Sequence, residues 1–367
     1  MSTAGSPVAD SRAASDIAAR LCEASFARLV AAGTGDGVAA AALLADALER
    51  QGVAHQISVV SLPDTAARNT EADVTVALGR PVAAADIAIG TDGDPASHTA
   101  FAVVRELDPS TPADAVVLAL AGTVAAGHDP DEQLLAAADV ERRPGVAVPT
   151  DTTAGLAHST LVHAPFSGSA PDTRDLLAGL DDGRAVASAV ALAVAGDPAG
   201  VARGTAAVER LLRPRLGGPV GTVGGYGDVL DTLARSQPGR AVAFALGADL
   251  AVLSAWREHA DCAHTAVREA RTGRYDGLFV VRCDSNTPVG AVARLTRDYR
   301  SPEPVVLVVD GDEAALLATP DAGVDAGVAI ETAADTVAAE AAGTTLRGRA
   351  RLDCESSGFV LAVREAV

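Results

Sequence analysis

The sequence predicts an α/β protein: a parallel sheet in the N-terminal part, a mainly helical middle, and a smaller α/β region at the C-terminal end. Three observations carry this. Up to about residue 145, short apolar runs alternate with helical patterns, which is how a parallel sheet covered on both faces reads. The turns Gly33–Gly37, Gly79–Pro81 and Gly90–Asp94 follow apolar runs, so they fall at the carboxyl ends of strands, where ligands collect in such sheets. From about residue 271 the strand–helix alternation starts again after a long helical stretch.

Taken in order, residues 1–15 are polar and small and predict a flexible tail. FARLVAAG reads as a strand, GVAAAALLADALERQG as a helix and AHQISVVSL as a strand, followed by the short strands ADVTVALG and ADIAIGTD. TAFAVVREL and ADAVVLALAGTVAAG are helices, the second buried. DTRDLLAGL, DGRAVASAVALAVAG and DVLDTLARS are helical, with the glycine-rich GGPVGTVGGYG before the last. The final region reads as strand YDGLFVVRCD, helix PVGAVARLTRDY, strand PVVLVVDG, helix ETAADTVAAEAAG, and strands TTLRGRARLDC and GFVLAVREAV.

A length of 367 residues suits two domains or one large one, with room for a sizeable core. Aromatics make up 3% of the chain, so that core must be Ala, Val and Leu. There is no lysine, and the net charge is −19. Such a charge opposes nucleic-acid binding at long range. It is also what a high-GC organism living in high salt would encode, so charge does not decide the ligand. Cys22, Cys262, Cys283 and Cys354 are widely spaced, which indicates neither a zinc cluster nor a disulfide framework. The N-terminus has no apolar signal core, and runs such as Ala185–Ala195 are too short to span a bilayer. A cytoplasmic protein is expected.

Several groups of residues bear on chemistry. GTGDG spaces its glycines Gly33, Gly35 and Gly37 as G-x-G-x-G, which is not the dinucleotide fingerprint, and without lysine it is no Walker loop. It reads as a nucleotide-sensing turn or, more simply, as a strand-to-helix turn with Asp36 capping the helix. His158 and His163 are five apart, which puts them on opposite sides of a strand and makes a poor metal pair; with Ser159, Thr160 and Ser167 nearby they could bind a ligand. His128, Asp129 and Asp131 read as a helix start more than a metal cluster. Cys283, Asp284 and Trp256 read as packing residues. Arg347, Arg349 and Arg351 alternate along a strand, so they share one face about 7 Å apart, as a phosphate contact or as a solvated row paired with acids.

The order of these pieces resembles the DHH phosphoesterase superfamily, in particular RecJ-like nucleases. GTGDGVAAAALLADAL is similar to the first motif, where a strand end carries His-x-Asp-x-Asp-Gly before a small-residue helix. ADVTVALG and ADIAIGTD stand where the second and third motifs end their strands, and VVLALAGTVAAG is similar to the fourth. YDGLFVVRCDSNTPVGAVARLTRDYRSPEPVVLVV resembles the DHH-associated C-terminal domain that grips a substrate strand. The resemblance implies a DHH-like α/β domain over 16–195, a helical connector over 196–270 and the C-terminal domain over 271–367.

Placed on the motifs, Ala32 stands at the first histidine, Thr34 at the first aspartate and Asp36 at the second. Ala77 falls at the second-motif aspartate, Gly90, Thr91 and Asp92 at the third-motif triplet, and Ala126 at the fourth-motif aspartate. Asp36 is thus a remnant, with Asp92 a second. Two-metal phosphodiester hydrolysis needs several carboxylates and imidazoles to hold two cations. The expectation is therefore a non-catalytic scaffold or single-strand-binding homologue in DNA replication or repair, without a cofactor. By resemblance its partners would be GINS, the helicase ring or a RecJ paralogue, with Arg347, Arg349, Arg351, His158 and His163 as nucleic-acid contacts. The alternative is an active single-strand exonuclease using Mn²⁺ or Mg²⁺, with His98, Asp94 or His128 as substitute ligands.

Overall fold

The computed structural model describes residues 7–61, 71–82, 85–91, 94–138, 140–248, 251–284, 286–353 and 355–367. Two compact units emerge. One comprises residues 1–141, 217–219 and 229–251; the other comprises 142–216, 220–228 and 252–367. The first unit runs unbroken to Glu141, and short returning segments complete it.

The first unit runs α1 (Pro7–Glu23), β1 (Phe26–Ala32), α2 (Gly35–Gln51), β2 (Ala54–Val60), β3 (Val74–Leu78), β4 (Ile87–Ile89), α3 (Ala96–Leu107), α4 (Ala113–Ala125) and α5 (Glu132–Ala137). The strands form a wholly parallel sheet in the order β2-β1-β3-β4. The chain goes from β1 to one side for β2 and then to the other for β3. The strand order thus reverses at β1–β3, and the carboxyl ends there are the corner where such sheets bind ligands. Helix α2 is buried from Gly35 to Leu48 apart from Asp46, which its run of alanines permits: a helix that is apolar all round belongs inside.

The second unit opens with α6 (Thr152–His158), α7 (Ala170–Leu177), α8 (Gly183–Ala195) and α9 (Arg203–Ala207). Helix α10 (Val223–Ser236) has residues 223–228 in the second unit and the rest in the first, and α11 (Pro238–Ala245) belongs to the first. The second unit continues with α12 (Leu253–Glu269), β5 (Arg271–Tyr275), β6 (Leu278–Cys283), α13 (Val289–Tyr299), β7 (Val305–Asp310), β8 (Glu313–Ala318), α14 (Ala326–Val337), β9 (Glu340–Thr344), β10 (Arg347–Arg351) and α15 (Ser356–Ala366). Its mixed sheet has the order β5-β6-β7-β8-β10-β9, with only β6–β7 parallel. Val281, Val306, Val308, Ala315 and Leu317 face one core together with Val292 and Leu295 of α13. Val280, Leu307 and Leu316 face another with Ile330 of α14 and Phe359 of α15.

The structure corrects several expectations. GFVLAVREAV is not a strand: Phe359, Val360, Ala362 and Val363 are buried while Leu361 and Arg364 are exposed, the spacing of one helix face. ETAADTVAAEAAG is helical only as far as Val337; Ala338 turns left-handed (φ 56°) and Glu340 begins β9. Strands β5 and β8 had no counterpart in the sequence reading. EAALLA in β8 favours helix by propensity, and burial between β7 and β10 overrides it. Residues 7–15 of the expected tail belong to α1, and 1–6 lie outside the described residues.

Candidate functional site

Glycines shape the corner of the first sheet. Thr34 is the N-cap of α2, its Oγ1 accepting from the Gly37 amide at 3.1 Å. A Cβ on Gly37 would come within 2.6 Å of the Ala32 carbonyl, and one on Gly35 within 2.9 Å of the Asp231 amide nitrogen. Gly37 is therefore required by close packing of α2 on β1, and Gly35 by close packing of α2 on α4 and α10. The Gly35 amide donates to Asp231 Oδ1 at 2.9 Å, and Asp231 is held in turn by Arg235 Nε at 3.0 Å. A carboxylate of the chain itself thus takes the place at this helix N-terminus where a phosphate would bind.

Asp36 does not cap its own helix. Its Oδ2 accepts from the Ala96 amide at 2.8 Å and its Oδ1 from the Ser97 amide at 2.9 Å, so it caps α3, whose own N-cap residue, Pro95, supplies no side-chain bond. The side chain is 7% exposed. Both carboxylate oxygens serve the fold. Around them Ala32, Ala77 and Ala126 have no ligating atom. Asp92 lies outside the described residues, and among these no group of three or more His, Cys, Asp or Glu is placed to hold a metal. A Mn²⁺ or Mg²⁺ pair wants oxygen-rich, near-octahedral shells, and this donor set does not fit it.

One of the suggested substitute ligands, His98, is already paired with an acid of the expected helix start: its Nε2 lies 2.9 Å from Asp131 Oδ2. Asp131 also caps α5, accepting from Leu134 at 2.7 Å, so the helix-start reading of this segment holds. Arg80, at the carboxyl end of β3, donates to the Val60 carbonyl at 3.2 Å; burial lowers its pKa.

The second unit contains a buried polar network with Asp228 at its centre. Asp228 accepts from the Thr160 amide (3.0 Å), Thr160 Oγ1 (2.5 Å), Ser159 Oγ (3.2 Å) and Trp256 Nε1 (3.1 Å), and Arg294 lies 3.9 Å away. Burial raises its pKa, against the pull of Arg294 and of these hydrogen bonds. Nearby, His163 and His264 stack with ring centroids 5.2 Å apart and their Nδ1 atoms 2.9 Å apart. Burial, helped by His264, Arg300 and Arg268, pushes His163 down to about 2, and burial, helped by Arg268, pushes His264 down to about 3, so both are neutral at pH 7. His264 Nε2 faces the Ser159 carbonyl at 3.2 Å and must carry the proton there. His264 Nδ1 is then the acceptor, and His163 donates from Nδ1.

His158 and His163 are thus not on a strand. His158 closes α6 and lies 3.3 Å from Asp261, while His163 is 1% exposed. Trp256 is buried as expected and also donates to Asp228, while burial pushes the Cys283 thiol up to about 11 and leaves it inert. Arg347, Arg349 and Arg351 do share one face of β10, beside Thr344, Ala342 and Glu340 of β9. Helix α13 lies over β7 and β8 on this face, and α14 covers β10 from the other. Arg349 meets Glu313 at 2.9 Å and Arg351 meets Glu340 at 3.8 Å, so the row is paired with acids and half open to solvent.

The sequence reading missed Asp228, Asp231, Arg235 and His264. DVLDTLAR held a signal: two acids three apart on a helix, with an arginine four beyond the second.

Over its whole length the chain is 49% identical to the uncharacterized protein rrnAC1427 of Haloarcula marismortui, all of which it covers. Residues 270–365 match the family model described as the C-terminal domain of that protein. Among solved structures, CDC45 from Entamoeba histolytica is similar at a TM-score of 0.59 and 8% identity, over 93% of this chain and 95% of that one. The DHH domain of PF0399, a member of the s1p family of ribosomal proteins, is similar at 0.51 and 11% identity, over 98% and 91%. RecJ of Thermus thermophilus in complex with Mn²⁺ is similar at 0.50 and 14% identity, over 100% of this chain and 56% of that one. The chain thus spans about half the length of RecJ, and the fold shared by these structures is DHH/RecJ-like.

Proposed function

Because the chain belongs to the family of rrnAC1427 and carries a DHH/RecJ-like fold, we propose that it is a non-catalytic RecJ-like protein, a scaffold or single-strand-binding module in DNA replication or repair. One observation carries the reading: both carboxylate oxygens of Asp36, the clearest acid left at the motif positions, cap α3. The sheet corner is then a folded joint whose acids neutralise helix ends, with no hydrolytic chemistry and no need of Mn²⁺ or Mg²⁺. Partners would be replication or repair proteins: GINS, a helicase ring or an active RecJ paralogue. Single-stranded DNA would lie on the row Arg347, Arg349 and Arg351, where guanidinium groups exchange Glu313 and Glu340 for phosphates. Burial takes His163 out of that role, and its bond to Asp261 occupies His158.

The test is to incubate the purified protein with labelled single-stranded DNA and Mn²⁺ in high salt. The reading expects no digestion; digestion that Asp36→Ala abolishes would establish the exonuclease alternative. A pull-down from native cells tests the partner side, and recovery of no replication or repair protein counts against the scaffold role.

A further inference from the structure

The two sheets have four edges, and three are guarded. β4 is only three residues long. β5 carries Arg271 and Arg274 around Gly273, and β9 begins at Glu340 and contains Gly343. Short length, charge and glycine are the ordinary means by which an edge is kept from pairing with another chain. β2 has none of them. It runs seven residues, AHQISVV, without Asp, Glu, Arg, Pro or Gly. Among the described residues it pairs with β1 alone, and Ile57, Val59 and Val60 are only half-buried. In a chain with 48 acids, seven uncharged residues along an open edge stand out.

The direction of the open bonds follows from one hydrogen bond. Gly33 donates to the Val60 carbonyl at 2.9 Å, so Val60 faces β1. Backbone groups alternate sides along a strand, so those of His55, Ile57 and Val59 point away from the sheet.

We propose that β2 pairs antiparallel with β2 of a second copy of this chain about a two-fold axis at Ile57, joining two four-stranded sheets into one. A two-fold contact must be self-complementary, and this strand is. Ile57 exchanges both backbone bonds with its symmetry mate, His55 meets Val59, and Gln56 meets Ser58. No pair sets like charges opposite each other, which any self-contact of a chain with net charge −19 must avoid. An acidic or basic peptide would find no countercharge along the strand. Two seven-residue strands bury less than the roughly 1,200–2,000 Å² of a standard interface, so the association is weak and reversible.

Sedimentation of the full chain in molar salt, where self-repulsion is screened, tests this. Average mass should rise from monomer toward dimer between about 10 µM and 1 mM. Ile57→Pro and Val59→Pro each remove an outward amide without touching the ladder to β1, and should leave a monomer with unchanged circular dichroism. Hydrogen exchange on the unmodified protein needs no folded variant: the His55, Ile57 and Val59 amides should gain protection with concentration. A monomer up to about 1 mM, a dimer indifferent to both prolines, or amides that exchange equally at all concentrations would overturn the proposal.

Discussion

At the scale of single residues, the acids that look like catalytic remnants are structural anchors. Asp36 closes the N-terminus of α3 and Asp231 that of α2, two places where the helix dipole and unpaired amides favour a negative charge. Asp36→Ala should cost about 1–3 kcal/mol, as a buried pair of amides loses its acceptor, and lower the thermal midpoint equally with and without Mn²⁺. The His163–His264 pair sets a pH dependence. Both imidazoles have folded values far below the ordinary 6.5, at about 2 and about 3, so the unfolded chain binds their protons first. Their contribution to stability is complete above pH 6.5 and is lost as pH falls from there toward 3. Urea midpoints measured from pH 7.5 to 4 should fall with acid, and less steeply in His264→Gln. The sequence showed Asp36 and His163 but not their roles, because the partners of both are distant: α3 for Asp36, and His264 a hundred and one residues on.

At the scale of elements, the strands β1, β3 and β4 and the helix α2 were legible because each apolar run has its own period and ends at a glycine: Gly33, Gly79, Gly90 and Gly52. The last hundred residues were harder. GFVLAVREAV contains both a two-residue and a helical spacing, and only its packing on the β-sheet decides for α15. Phe359→Ala, at a site with no exposure, should cost about 3–5 kcal/mol, read from the shift in denaturant midpoint. The arginine row on β10 was legible from alternation alone, while its pairing with Glu313 required β8, which the sequence concealed. Arg349→Ala should weaken single-stranded DNA binding, lower its salt dependence by about one phosphate contact, and change the unfolding free energy by no more than about 0.5 kcal/mol. Unchanged affinity would detach this face from nucleic acid.

At the scale of the molecule, the net charge of −19 is carried without a single lysine, and arginine makes the buried pairs, such as Asp231–Arg235, Asp298–Arg297 and Asp197–Arg300. Salt screens exposed repulsion more than buried attraction, so raising NaCl from 0.1 to 2 M should raise the thermal midpoint. A midpoint that falls would assign stability to the surface pairs. No helix among the described residues is long and apolar enough to cross a membrane. The DHH/RecJ-like fold was visible in the succession of strand ends, whereas the state of the corner followed only from seeing which backbone amides its acids hold. The corner is closed on itself, its acids bound to backbone amides. Mn²⁺ binding followed by electron paramagnetic resonance tests it most directly. Free Mn²⁺ should stay undiminished by the protein at about 10 µM; a site of that affinity or tighter, lost in Asp36→Ala, would show the corner to be an open metal site.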